Sequence, residues 1–177
     1  MVRIKHRYLL INILYPEDNP SNQALALSTD LPWSVRMRRP TSDNINARVL
    51  INAIRKGLEE LFGDYGSGMI AGSLVVKYFS AATSTAIIRV ARAHYRMLWT
   101  ALSFMTALAG GQPCVIQVVR VSGTIKKSEE EAIRRARLAI LRADVAPGRS
   151  DPAEQPPTLT DMAGIIDNDD DDDDEND

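Results

Sequence analysis

The order of apolar patterns along this chain predicts an α+β domain: an antiparallel four-stranded sheet with helices on one face, then an added helix and an acidic tail. Two observations carry this expectation. Short β-branched runs and helix-period segments follow one another as strand, helix, strand, strand, helix, strand, helix. Lysine and arginine stop at Arg149, whereas aspartate crowds the end of the chain.

The first strand is "RYLLINILY" (Arg7 to Tyr15), an apolar run stopped by Pro16 and the turn-forming "EDNPSN". Residues 17–40 carry Pro20, Pro32, Pro40 and the basic knot "RMRRP", and read as a long surface insertion. "TSDNINARVLINAIRKGLEELFG" opens with capping residues and sets Ala47, Leu50, Ile51, Ile54, Leu58, Leu61 and Phe62 at helical spacing before Gly63. "GDYGSG" is then expected to be a helix-stop loop, since it precedes a strand, the reverse of the dinucleotide-binding order. The strands "SLVVKYFS" and "TSTAIIRVA", joined by "AAT", form a hairpin.

Tyr95, Leu98, Trp99, Leu102, Met105 and Ala109 mark a second amphipathic helix ending at Gly110 and Gly111. "CVIQVVRVS" is the fourth strand, and the third helix runs from "SEEEAIRRA" to Ala143. Its expected start is a capping box, Ser128 with Glu131, with Glu129 and Glu130 in the first turn. The first six elements make the split βαβ, ferredoxin-like arrangement, whose second sheet face stays open unless the third helix or a partner covers it. The domain is expected to occupy residues 1–146. Residues 147–177 offer too little apolar surface to offset ordering entropy and are expected to be a disordered acidic tail.

Charge divides the same way. The net charge of -2 conceals a tail, 151–177, with 12 acids and no bases, while the remainder sets 21 Lys and Arg against 11 acids, a net of +10. Such a surplus draws polyanions and points to nucleic acid or an acidic membrane surface. No stretch approaches the ~18 apolar residues of a membrane span, and "MVRIKHRYLL" lacks the pattern of a signal peptide. A reducing intracellular setting is the expectation. Cys114 is the lone cysteine and, with only His6 and His94, offers no zinc spacing.

Several stretches bear on chemistry. A phosphate-binding loop fails in "VRVSGTIKKSEEEAIRRA", because with Gly123 as its second glycine Val118 stands at the first. What remains is a corner where Lys126 and Lys127 project beside Gly123, followed by Arg134, Arg135, Arg137 and Arg142. The arginines fit either an RNA contact or ordinary i,i+4 pairs, Glu130 with Arg134 and Glu131 with Arg135. The charge asymmetry favours RNA for the lysines. Arg3, Lys5 and Arg7 share one side of an extended segment, alternating with Ile4 and His6, and suit either an anionic partner or a frayed terminus.

Lys77, Arg89 and Arg92 stand near Tyr78, Phe79 and Tyr95, but the signature of an RNA-stacking sheet is absent, and Tyr78 or Phe79 must face the core. Asp169 to Asp174 lacks the central glycine of a calcium loop. No catalytic acid, base or metal set is visible, and His94, placed on the second helix, is taken as structural.

"MVRIKHRYLL", "GDYGS", "KYFS…TSTAIIRVAR" and "VSGTIKK", in this order and spacing, resemble the Pop-five family, the small protein subunit shared by ribonuclease P and ribonuclease MRP. The resemblance covers most of residues 1–142, and the acidic tail looks like that of eukaryotic members. It implies an RRM-like αβ sandwich that binds the catalytic RNA of the particle and pairs with a TIM-barrel-like protein subunit among other particle proteins, with precursor tRNA nearby. It implies that the RNA performs metal-assisted hydrolysis, removing the 5′ leader of precursor tRNA and, in the MRP particle, cutting precursor rRNA. No cofactor in the protein, Mg2+ on the RNA, and a nuclear and nucleolar location follow from the same likeness.

Matching positions suited to RNA contact are Arg3, Lys5, His6 and Arg7, then Lys77, Arg89 and Arg92, then Lys126 and Lys127, with Arg134 and Arg135 as further candidates. The 17–40 insertion departs from shorter loops in some relatives, so no function is carried onto "RMRRP" or Trp33. Two alternatives stay open: an independent single-stranded RNA-binding module, and a protein-borne nuclease.

Overall fold

The computed structural model describes residues 5–16, 36–108 and 111–144. Arg3, Trp33 and most of the insertion lie outside them, as does the acidic tail. The chain divides into two units, Met1–Arg134 and Arg135–Asp177. The described part of the second is the last stretch of a helix, with Ile140 and Leu141 exposed.

The described residues have the expected element order. Strand β1 (His6–Leu14) is followed by α1 (Ala47–Ala71), the hairpin of β2 (Val75–Ser80) and β3 (Thr85–Ala91), α2 (Tyr95–Phe104), β4 (Val115–Ser122) and α3 (Ile125–Asp144). The strands lie in the order β2-β3-β1-β4 with every neighbouring pair antiparallel. This is the ferredoxin-like topology.

Alternation along the strands decides the two faces. Leu9, Ile11 and Ile13 of β1 and Tyr15 just beyond it, with Ala86, Ile88 and Val90 of β3, turn into the main core. There they meet Leu50, Ile54 and Leu58 of α1 and Leu98, Ala101 and Leu102 of α2, at the i,i+3 and i,i+4 spacings of one helix face. Leu10 and Ile87, directly opposite each other, belong to the other face and are buried as well. That face is not left open: Arg120 and Ser122 of β4 meet Glu131 and Ser128 of α3.

The start of α1 is capped as expected, and four other boundaries differ from expectation. The Asn46 side chain caps α1 by accepting from the Arg48 and Val49 amides, both at 3.0 Å. The helix breaks at Gly63, as expected, where φ 62° and ψ -162° admit only glycine, but it resumes, so "GDYGSG" is helical after the break and not a loop. Gly66 there faces Phe62 so closely that a β-carbon would collide with it. Helix α2 stops at Phe104, five residues before Ala109, because Met105 is extended and the chain turns into a short bridge between Ala107 and Pro113. His94 closes a 3-10 turn ahead of α2.

The fourth correction concerns α3. It begins at Ile125, and Thr124 Oγ1 takes the Lys127 amide at 3.5 Å, so the capping box at Ser128 and Glu131 does not form. Those two residues sit one turn inside and are buried, Ser128 sharing a hydrogen bond of 2.7 Å with Ser122. No acid occupies the first turn.

At the far end of the sheet a buried hydroxyl chain fastens the exit of the insertion. Tyr15 OH donates to Thr41 Oγ1 (2.9 Å), which donates to Ser84 Oγ (2.9 Å), which donates to the Arg39 carbonyl (2.8 Å). Ser84 holds φ 51° in the β2–β3 turn, and the Arg39 guanidinium lies 5.4 Å from the Tyr15 ring centroid. Burial pushes the Tyr15 phenol above its ordinary range.

Candidate nucleic-acid interface

Antiparallel pairing brings distant basic residues to one end of the sheet. The start of β1 lies beside the end of β3, with His6 opposite Ala91 and the Arg92 amide donating to the Lys5 carbonyl at 2.9 Å. The end of β4 arrives on the other side of β1, with Ser122 opposite Tyr8. Both α2 and α3 start from this end. Lys5, His6, Arg7, Arg92, Lys126 and Lys127 therefore gather there from three separate stretches of sequence.

Cross-strand partners share a face, which sorts these side chains. Arg7, opposite Val90, turns toward the helices, and its Nη1 would lie 3.4 Å from a β-carbon on Gly123. Arg89, opposite Tyr8, is on the other face; it is half-buried and its Nε has no hydrogen-bond partner. Lys126 and Lys127 are in the first turn of α3, one turn ahead of Glu129 and Glu130. Cations there oppose the positive end of the helix dipole. Lys126 reaches Glu130 across the exposed surface at 3.7 Å, so Glu130 pairs backward and not with Arg134.

The remaining expected residues stand apart. Arg3 lies outside the described residues. Lys77 is exposed at the bulge of the edge strand β2, where the pairing shifts between Val76 and Tyr78. Beside it Phe79 packs on the core and Tyr78 turns out, 49% exposed. Arg134 is engaged by Glu131 through two hydrogen bonds of 2.9 and 2.7 Å, and Arg135 is exposed in the second unit.

Sequence reasoning did not single out Arg96 or Arg120. Arg120 completes the buried contact with Glu131. Arg96 donates through Nε to the Tyr95 phenol oxygen at 3.3 Å. This bond and the Arg96 charge hold the Tyr95 phenol below its ordinary range, with Arg7 and Arg92 adding to the effect. The signal was present in "RVARAHYR", where Arg89, Arg92 and Arg96 recur at three and four residues. Among the described residues no carboxylate pairs with Arg7, Arg92 or Arg96.

Such a site can hold anions. No group of three His, Cys, Asp or Glu able to hold a metal occurs among the described residues, and no helix among them is long and apolar enough to cross a membrane. The Cys114 thiol is pushed up to about 11 by burial, so it stays protonated at neutral pH.

These features define a ferredoxin-like α+β domain with a basic end. The chain belongs to the Rpp14/Pop5 family, whose profile matches residues 7–133. It is 47% identical to the ribonuclease P/MRP protein subunit POP5 of Schizosaccharomyces pombe over 76% of this chain and 88% of that protein. It is 35% identical to the POP5 subunit of Saccharomyces cerevisiae over 76% and 77% of the two chains, and 28% identical to that of Homo sapiens over 80% and 76%. A chain in the cryo-EM structure of yeast ribonuclease MRP aligns with a TM-score of 0.45 at 13% identity, covering 78% of this chain and 98% of that one.

Proposed function

We propose that this chain is a non-catalytic, RNA-binding subunit of ribonuclease P and ribonuclease MRP, bracing the catalytic RNA through its basic sheet end. The observation that carries this reading is the convergence of Lys5, Arg7, Arg92, Lys126 and Lys127 at that end, in a chain whose relatives are named as subunits of those particles. Phosphate neutralisation and counterion release favour such a surface on a structured RNA.

In this reading the RNA and its Mg2+ ions carry out the hydrolysis of precursor tRNA and precursor rRNA. The protein's residues fix the backbone that surrounds the reacting strand. Its partners are the catalytic RNA, the TIM-barrel-like subunit and other particle proteins, in the nucleus and nucleolus.

The rival reading, a free-standing single-stranded RNA module, needs an open aromatic sheet face. The outward positions of the two central strands are instead occupied by buried Leu10 and Ile87 and half-buried Tyr8 and Arg89. Affinity capture of the tagged chain from its own cells, with sequencing of the bound RNA, separates the two. One or two structured RNAs are expected; a broad spread of unrelated transcripts would favour the module, and no RNA would end both readings.

A further inference from the structure

We propose that Tyr95, Arg7, Arg92 and Arg96 form a phosphodiester subsite in which the phenol hydroxyl donates to a phosphate oxygen and the three guanidiniums neutralise its charge. The subsite rests on the RNA-contact reading and assigns to it a tyrosine at its centre.

The hydrogen-bond inventory of Tyr95 is the starting point. A phenol offers one proton and accepts through its oxygen. Arg96 Nε already donates to that oxygen at 3.3 Å, so the hydroxyl proton must point elsewhere, and among the described residues no acceptor takes it. The ring is half-buried against the core, which restricts its swing. A fixed donor is therefore held out beside cations.

The cations are also placed by the fold. Arg92 is anchored through its backbone to Lys5, and Arg7 rests against Gly123, where the missing side chain leaves it room. Guanidiniums without a carboxylate repel one another; the Tyr95 phenol is held below its ordinary range first by the Arg96 hydrogen bond and then by the Arg96 charge, with smaller additions from Arg7 and Arg92. An anion with two free oxygens can take the phenol proton and one or more guanidinium forks together. Lys5 and His6 continue the positive surface on one side and Lys126 and Lys127 on the other, which suits one phosphate within a polyanion better than an isolated carboxylate.

The probe is a 2′-O-methyl oligouridylate hexamer, stable at the alkaline pH needed, with the full chain at low salt. Carbon-13 NMR of the tyrosine Cζ atoms follows phenol ionisation, and Tyr95→Phe assigns the signal while keeping the ring packing. A phosphate seated here cancels part of the arginine field, so the hexamer should move the Tyr95 ionisation midpoint to higher pH, and Arg92→Ala or Arg96→Ala should shrink that movement. Tyr95→Phe should weaken hexamer binding about 10- to 100-fold, the size of one hydrogen bond to a charged group, with Tyr78→Phe near wild type. If the hexamer binds but neither the midpoint nor the Tyr95→Phe affinity responds, the subsite is wrong while the RNA reading stands. If the hexamer does not bind, the subsite is wrong and the RNA capture decides the wider reading by itself.

Discussion

Arg120 Nη1 lies 3.6 Å from Glu131 Oε2, so the last strand grips the second turn of α3 through a carboxylate that is only 6% exposed. Arg134 closes on the same carboxylate from the helix side at 2.7 Å. Removing a buried partner strands the cations it served. Glu131→Ala should cost about 2–3 kcal/mol in urea unfolding, toward the low end for a buried network because both arginines are partly solvated. Glu131→Gln, which keeps hydrogen bonding, should cost less. A loss below about 0.5 kcal/mol for the alanine variant would show that the grip is not fastening the helix.

Lys126 and Lys127 should behave in opposite ways for binding and for stability. Their replacement by alanine should weaken RNA binding and reduce the slope of log affinity against log salt by up to about two charges' worth. The variant should melt no lower than wild type, because cations in a first helical turn oppose the dipole. Filter binding across a salt series and thermal melts read the two effects separately; an unchanged slope removes both lysines from the interface.

Gly63 and Gly68 belong to the same interrupted helix yet should respond to alanine with opposite signs. At Gly63 the backbone lies in a region closed to side chains, so Gly63→Ala should lower stability by about 1–3 kcal/mol. Gly68 is helical with no atom near its missing β-carbon, so Gly68→Ala should raise stability by about 0.5–1 kcal/mol. Denaturant midpoints at equal slope give both signs.

Cys114 supplies a pH dependence. Its thiol ionises near 9 when unfolded and at about 11 when folded, so between those values the folded chain holds the extra proton. Stability from this group is complete below pH 9 and falls as pH rises toward 11, by about 2–3 kcal/mol in all. Cys114→Ala should flatten that part of the profile whatever the cavity costs at neutral pH. Unfolding measured from pH 8 to 11 compares the slopes, and equal slopes would remove the thiol as the cause.

The element order was legible because alternation in β1 and β3 and the four-residue spacing of Leu50, Ile54 and Leu58 are local patterns. The start of α3 was not. Ser128 and Glu131 satisfy the capping-box pattern, but tertiary contacts with Ser122 and Arg120 claimed both, and Thr124 became the cap. The candidate site divided similarly. Its charges were readable as individual residues, whereas the gathering of Arg7 and Arg92 at one end of the sheet depends on β1 and β3 running in opposite directions, which no single stretch encodes. Lys77 was readable as a base near aromatics, and the bulge placed it on a separate edge.

The hydroxyl chain of Tyr15, Thr41 and Ser84 gives the fold a form of evolutionary tolerance. It clamps the insertion's exit at the sheet end opposite the cationic one, about 30 Å away by the rise of β1. Changes in the length of the segment before Met37 can then be absorbed without reaching the pairing that sets Arg7 beside Arg92.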